Sequence, residues 1–304
     1  MWALAYRVGA PRVHDPVGEG LSTNPPDAGV PVKVLVAGGH GFIGRALCAR
    51  LRELGHEAVA SGRGDTAELA AAGADALVWA AGGRPMSVEQ CIADHAHAAA
   101  RTIKAMPGLA RVVYMSSAEA YGLQDVPFRE DATLLGASPL GQAKAAGEHA
   151  VAAAVGATPL VALRPCWVYG PGLAPSTFLP TLINHLANRR RYAMTPGQQT
   201  RDLVYVDDVV AAIVRALAPD APTGTYNIGT GVETSVLEMA LTIAAKVRPS
   251  AIALLDVGAR PYREGEAFRV ALDVSRAKAA LGWQATIDLD DGLGRMVDAL
   301  APER

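Results

Sequence analysis

An excess of charge of either sign, a paired set of cysteines and a long apolar run are all missing from this 304-residue chain. Its 28 Lys and Arg stand against 30 Asp and Glu, a formal net charge of −2 at pH 7. That balance offers no basic face for duplex phosphates and excludes nucleic acid as an expected partner. Anions must be held locally, by an arginine or a helix end. The three cysteines, Cys48, Cys91 and Cys166, are scattered and lie outside any CxxC or His-rich spacing. No metal site is expected from them, and a reducing cytoplasm is the compartment they fit. No apolar stretch reaches the roughly 20 residues of a membrane span, and residues 1–30 lack the basic-then-apolar layout of a signal peptide.

What is present is an apolar half of the composition, enough for a substantial core in one large domain or two intimately packed lobes. Residues 1–30, with Pro11, Pro16, Pro25, Pro26 and four glycines, read as a flexible arm, or equally as an upstream start codon extending the native protein. From Val32 short apolar runs alternate with longer amphipathic ones: VKVLVA, a helix through Leu54, HEAVAS, then ADALVWAA. This order predicts an α/β fold, a Rossmann-type doubly wound parallel sheet covered on both faces. Helices are expected from Val88 to Met106 and from Gly141 to Val155, leading into the strands RVVYMSS and TPLVALRP. The dinucleotide-binding domain is placed at 31–165, with later segments returning to it. Residues 166–304 read as mainly a smaller, loop-rich substrate-binding lobe, with helices from Phe178, Asp207 and Ser235 and strands LVYV, TYNIG and AIALLD.

The chemistry starts at Gly38-Gly39-His40-Gly41-Phe42-Ile43-Gly44, which satisfies G-x-x-G-x-x-G between an apolar strand and a helix. Glycines permit the turn and a close backbone approach, while the helix beginning near Phe42 offers unpaired N–H groups to a pyrophosphate. Gly38, Gly41, Phe42, Ile43 and Gly44 are the expected cofactor contacts. At the end of the second strand, where a carboxylate would select the ribose of NAD, the chain has Ser61-Gly62-Arg63. Ser61 and Arg63 suit a 2′-phosphate, so NADP is the expected cofactor and NAD the second choice. Asp65, slightly further along, is the carboxylate that would favour NAD instead.

The glycine turn, LVWAAG, MSSAEAYG, SPLGQAKAAGE, LRPCWVYGPG, RDLVYVDDVV, TYNIGTG and RPYREGEAFRVALDVSRAKAALGW follow one another from Val32 almost to the C-terminus. In order and spacing the chain resembles an extended short-chain dehydrogenase/reductase of the nucleotide-sugar epimerase/dehydratase group. The resemblance implies a Ser/Thr, a Tyr and a Lys acting together: Tyr as acid/base, Lys on the nicotinamide ribose, Ser polarising the substrate oxygen. Ser117 matches the Ser and Lys144 the Lys, but Leu140 stands at the Tyr position. A leucine transfers no proton. Glu119, which matches a Glu of the family's dehydratases and decarboxylases, is the first candidate to replace it. Tyr121 reads as structural, and Cys166, His95 and His149 as weaker candidates. His95 stands where relatives carry a helix-kinking Asn.

The resemblance also implies that Arg201 and Arg263 grip the diphosphate of a nucleotide sugar or another phosphorylated polyol. Trp167 replaces an Asn used near the substrate by many relatives, and Asp207-Asp208 read as the cap and first turn of a helix. In the family, helices equivalent to Val88–Met106 and Gly141–Val155 form a homodimer face. Two other readings stay open: a catalytically silent dinucleotide-binding protein acting as sensor or partner support, and a non-redox lyase or isomerase using Glu119.

Overall fold

The computed structural model describes residues 32–62, 69–82 and 87–301. The arm expected over residues 1–30 and the cofactor contact expected at Arg63, with its alternative Asp65, lie outside the described residues.

Six parallel strands form the central sheet in the order β10-β5-β4-β3-β1-β2. They are β1 (Lys33–Ala37), β2 (Glu57–Ser61), β3 (Ala76–Trp79), β4 (Arg111–Met115), β5 (Leu160–Pro165) and β10 (Gly224–Ile228). Because side chains alternate across a strand, both faces of β1 must be covered, and its sequence KVLVA is apolar at four successive positions. Val34 and Val36 enter the core shared with Leu47 and Leu51 of α1 (Phe42–Glu53) and with Val209 and Ile213 of α6 (Val206–Leu217). Leu35 and Ala37 face the opposite way, into a core with Ile103 and Val151. That second face is covered by α2 (Val88–Ile92), a π-helical turn (Ala93–His97), α3 (Ala98–Ala105) and α4 (Pro139–Ala154). The fold class is the one its sequence pattern predicts: the chain is α/β, with a Rossmann-type sheet.

Between β1 and its neighbours the order reverses, since β2 lies on one side and β3 on the other. Crevices above the carboxyl ends of strands at such a switch point are where doubly wound sheets bind ligands. Beside the sheet, α5 (Phe178–Ala187), α7 (Val236–Val247) and α8 (Leu289–Leu300) enclose a separate core containing Leu182, Ile183, Met239, Ile243, Met296 and Val297. Short paired strands complete this part: β6 (Trp167–Tyr169) with β9 (Leu203–Tyr205), β7 (Tyr192–Met194) with β12 (Leu255–Val257), and β8 (Thr200–Arg201) with β11 (Thr234–Ser235).

Two local expectations are corrected. AIALLD was expected as one strand, but Pro249–Leu254 is a 3-10 segment and pairing begins only at Leu255. Proline at the first position favours the helical start. Asp207 and Asp208 occupy the first turn of α6, yet the cap position belongs to Tyr205. Asp208 is 4% exposed and accepts the amides of Thr286 and Ile287, so it anchors the chain before α8.

Buried Asp202 ties the lobes together at the strand ends. Its carboxylate accepts the Thr230 and Gly231 amides and the Thr230 hydroxyl, all within 3.0 Å. Burial raises its pKa, opposed by those donors. The Cys166 thiol beside it is pushed well up, first by burial and then by the Asp202 charge. A thiol so placed is a packed group with little thiolate character.

Candidate functional site

The turn after β1 is built by backbone contacts that only glycine tolerates. Gly38 has φ +84°, and a Cβ there would sit 2.7 Å from the carbonyl group of Ala80. At Gly44 a Cβ would lie 2.1 Å from the Gly38 carbonyl oxygen, so the glycine lets α1 start directly against the turn. Gly41 differs: its nearest neighbour is the Gly38 oxygen at 3.1 Å, and it is the N-cap of α1 with no side-chain cap bond. No acid occupies the first turn of α1, leaving the Phe42 and Ile43 end of the helix suited to an anion.

At the ends of β2 and β3 two buried polar atoms, Ser61 Oγ and Trp79 Nε1, have no hydrogen-bond partner among the described residues. Beside them a cavity of about 170 Å³ is lined by Gly62, Leu69, Trp79, Ala81, Gly82, Asp94 and Ala98. Buried polar atoms are normally satisfied. The open glycine turn, the uncapped helix end and the two orphaned donors all stand at the carboxyl ends of β1, β2 and β3, a set that fits a dinucleotide. Gly82 also lies against the imidazole of buried His95, within the π-helical turn; a Cβ on Gly82 would meet that ring at 1.9 Å.

Beyond β4 the chain turns through Ser116 and Ser117 into a 3-10 turn, Ala118–Tyr121. Ser117 caps it, its hydroxyl oxygen accepting the Glu119 amide at 3.1 Å. Across from it α4 begins with Ser138 as cap and Pro139 at its first position, a combination that starts helices. Leu140 is half-buried one turn before Lys144, so the two share a helix face. Lys144 is 7% exposed and donates to the Met115 carbonyl at 2.6 Å. Burial pushes its pKa down to about 8, opposed by the charges of Glu148 and then Glu119. Ser117, Glu119, Leu140 and Lys144 therefore meet at the carboxyl end of β4.

Glu119 is held closely against α4. Gly141 admits its backbone, since a Cβ there would lie 2.3 Å from the Glu119 carbonyl oxygen. The Ser138 hydroxyl donates to Glu119 Oε2 at 2.5 Å. Ser138 was missed in the sequence, although a Ser-Pro pair opening a helix is a capping signal that marks it.

Tyr121 and Glu148 belong to a buried network instead of the cleft. Arg164 grips both carboxylate oxygens of Glu148, at 2.8 and 2.7 Å, and donates to the Tyr121 hydroxyl at 2.8 Å. Tyr121 in turn donates to Asn227 Oδ1 at 2.6 Å, and Ser116 to Glu148 at 2.5 Å. Burial pushes the Tyr121 pKa up to about 12 against the nearby Arg164 charge. His149 is exposed, its Nδ1 2.9 Å from the Ala145 carbonyl one turn back.

Arg201 is 4% exposed and forms an ion pair with Glu266 at 2.5 Å. It also donates to the carbonyls of Thr200 and Ala267, and its guanidinium lies 4.9 Å from the centre of the Trp167 ring. Trp167 itself keeps 37% of its surface open. Arg263 is exposed on the same loop as Glu266, and its carbonyl accepts the Glu266 amide at 3.1 Å. Among the described residues no group of three or more His, Cys, Asp or Glu is placed to hold a metal ion. No helix among them is long and apolar enough to cross a membrane.

The model of the NAD dependent epimerase/dehydratase family matches residues 34–229, from β1 to just past β10. The chain belongs to this family. Relatives in the family include a UDP-glucose 4-epimerase of Mycolicibacterium smegmatis, 35% identical over 204 residues, covering 64% of this chain and 63% of that protein. A dTDP-L-rhamnose 4-epimerase of Burkholderia thailandensis is 35% identical over 192 residues, covering 60% and 52%. The matched stretch thus spans less than two thirds of these curated relatives. The epimerase/dehydratase fold extends further: MoeE5, solved with UDP-glucose and NAD, superposes with a TM-score of 0.77 at 29% identity, covering 88% of this chain and 97% of MoeE5.

Proposed function

We propose that the protein is a nicotinamide-dinucleotide-dependent enzyme acting on a nucleotide sugar or similar phosphorylated polyol, with Glu119 as its acid/base in place of the Tyr of related enzymes. The observation that carries this reading is the juxtaposition of Glu119, Ser117 and Lys144 beside Leu140 at the end of β4. When bound, the dinucleotide supplies a hydride acceptor and donor at its nicotinamide ring. The turn Gly38 to Gly44 and the start of α1 hold its pyrophosphate, and Ser61 reaches its adenosine ribose. Lys144 holds the nicotinamide ribose. The Ser117 oxygen already accepts the Glu119 amide, which leaves its O–H to donate to the substrate oxygen. Glu119 takes the proton released at the substrate and later returns it.

Ser61-Gly62-Arg63 favours NADP, although MoeE5 was solved with NAD. NADPH binding tighter than NADH binding is expected, and the reverse order contradicts the Arg63 assignment. Arg201 and Arg263 are the proposed diphosphate contacts. Engagement of Arg201 by a diphosphate requires Glu266 to give way, because the two are paired at 2.5 Å. The compartment is read as cytoplasmic and the assembly as a homodimer through the helical segment from α2 to α3 and through α4. Incubation with NAD or NADP and a panel of UDP-, dTDP- and GDP-sugars, followed by mass spectrometry, tests the reading. Isomers, water loss or reduced cofactor are expected, and no turnover in any class contradicts it.

Leu140 supports a second reading, a dinucleotide-binding protein without turnover. Under that reading the native chain binds NADPH without reacting, and Leu140→Tyr creates redox activity.

A further inference from the structure

The Ser138 hydroxyl has one proton to give, and its surroundings determine where that proton goes. As the cap of α4, Ser138 Oγ accepts the Gly141 amide at 3.0 Å. Its O–H is therefore directed away from that amide, and Glu119 Oε2 lies in its path at 2.5 Å. Two hydrogen bonds fix a rotor that is otherwise free to turn. The rest of Glu119 is held as firmly. Its amide is bonded to Ser117 Oγ, and its carbonyl rests against Gly141, where no Cβ fits. Backbone and one carboxylate oxygen are thus both anchored to the elements that carry Ser117 and Lys144. A glutamate at an exposed position ordinarily samples several rotamers. Here the first turn of α4 selects among them.

We propose that Ser138 is the positioning residue for Glu119: by holding Oε2, it presents Oε1 to the reacting group of the substrate. The inference rests on the reading that Glu119 moves the proton. Leu140 gives it a physical motive, since a carboxylate that replaces a rigid phenol needs external constraint to stay in reach of the same atom. Well-placed reacting groups lose much of their advantage when they are misplaced by about 1 Å.

The test separates the hydroxyl from the cap. Glycine caps a helix nearly as well as serine but has no O–H, whereas threonine keeps both. Ser138→Gly, Ser138→Thr, Glu119→Gln and the double variant Ser138→Gly/Glu119→Gln are assayed in the full-length protein with a panel of UDP-, dTDP- and GDP-sugars, each with NAD and NADP, and compared on the sugar that the native protein turns over. The expected result for Ser138→Gly is a fall in kcat of about tenfold or more, with KM, dinucleotide affinity and Tm close to the parent values. Ser138→Thr restores kcat, and Ser138→Gly has no further effect once Glu119 is Gln. Where Glu119→Gln leaves no measurable rate, threonine rescue at unchanged Tm decides. Three outcomes overturn the inference alone: unchanged kcat in Ser138→Gly, equal losses in both backgrounds, or failure of threonine to rescue. Unchanged turnover in Glu119→Gln, or no turnover of any UDP-, dTDP- or GDP-sugar by the native protein, overturns the reading of Glu119 and this inference with it.

Discussion

Lys144 delivers its ammonium from α4 to the Met115 carbonyl oxygen at 2.6 Å, at the carboxyl end of β4. The contact gives one donor a partner, yet the group is almost wholly buried, and burial lowers its pKa from the ordinary 10.5 to about 8. The folded state therefore binds fewer protons than the unfolded chain between pH 8 and 10.5. Stability rises with pH in that window, at up to about 1.4 kcal/mol per unit, and the full penalty of roughly 3 kcal/mol is present below pH 8.

Lys144→Met removes that penalty while keeping a side chain of similar reach. Urea unfolding is expected to show the variant more stable than the parent at pH 7, with the gap closing as pH rises from 8 to 10.5. A gap that is constant with pH contradicts the buried-ammonium account.

Gly41 and Gly44 are expected to behave differently when replaced by alanine. At Gly44 the new Cβ meets backbone at 2.1 Å, so the turn and α1 must separate and the protein loses stability. At Gly41 the nearest backbone atom is at 3.1 Å and φ is −77°, which alanine adopts, so the cost stays near about 1 kcal/mol. Its methyl group then occupies the approach to the helix end. Thermal unfolding and NADPH titration check this: Gly41→Ala keeps most of its Tm and loses about tenfold or more in affinity. Equal Tm losses in the two variants would refute the distinction.

Glu266 balances a guanidinium whose side chain is only 5% exposed. Removing one member of such a pair leaves the other charge buried, typically at about 3–5 kcal/mol. Glu266→Ala is expected to lose stability on that scale in denaturant titration, and added inorganic pyrophosphate to restore part of it. A loss below about 0.5 kcal/mol, the range of ordinary surface changes, contradicts the burial of the pair.

Legibility in the sequence followed the range of each interaction. The apolar runs of β1 and β3 reveal a two-sided sheet because strand burial repeats locally, and the glycine turn is recognisable by its spacing between strand and helix, where Gly44 packs on Gly38 six residues back. The alignment of Ser117 with Lys144 came from resemblance, and their meeting depends on β4 and α4 being neighbours in space. What sequence spacing does not encode is pairing at long range. Arg201 and Glu266 are 65 positions apart, and nothing local tells an arginine held by a carboxylate from one open to a ligand. Arg164, joined to Glu148 and Tyr121, escaped notice for the same reason. Ser138 was legible as a cap, but its bond to Glu119 spans 19 positions. AIALLD shows the opposite limit: an apolar run of that length fits a strand or a helical turn, and Pro249 decides locally.

The central claim, that Glu119 carries the proton that Leu140 cannot, is tested most directly by steady-state turnover of nucleotide sugars by the Glu119→Gln variant alongside its NADPH affinity. The account predicts a loss of about 10²- to 10⁴-fold in turnover with dinucleotide binding preserved; turnover equal to the parent's would contradict it.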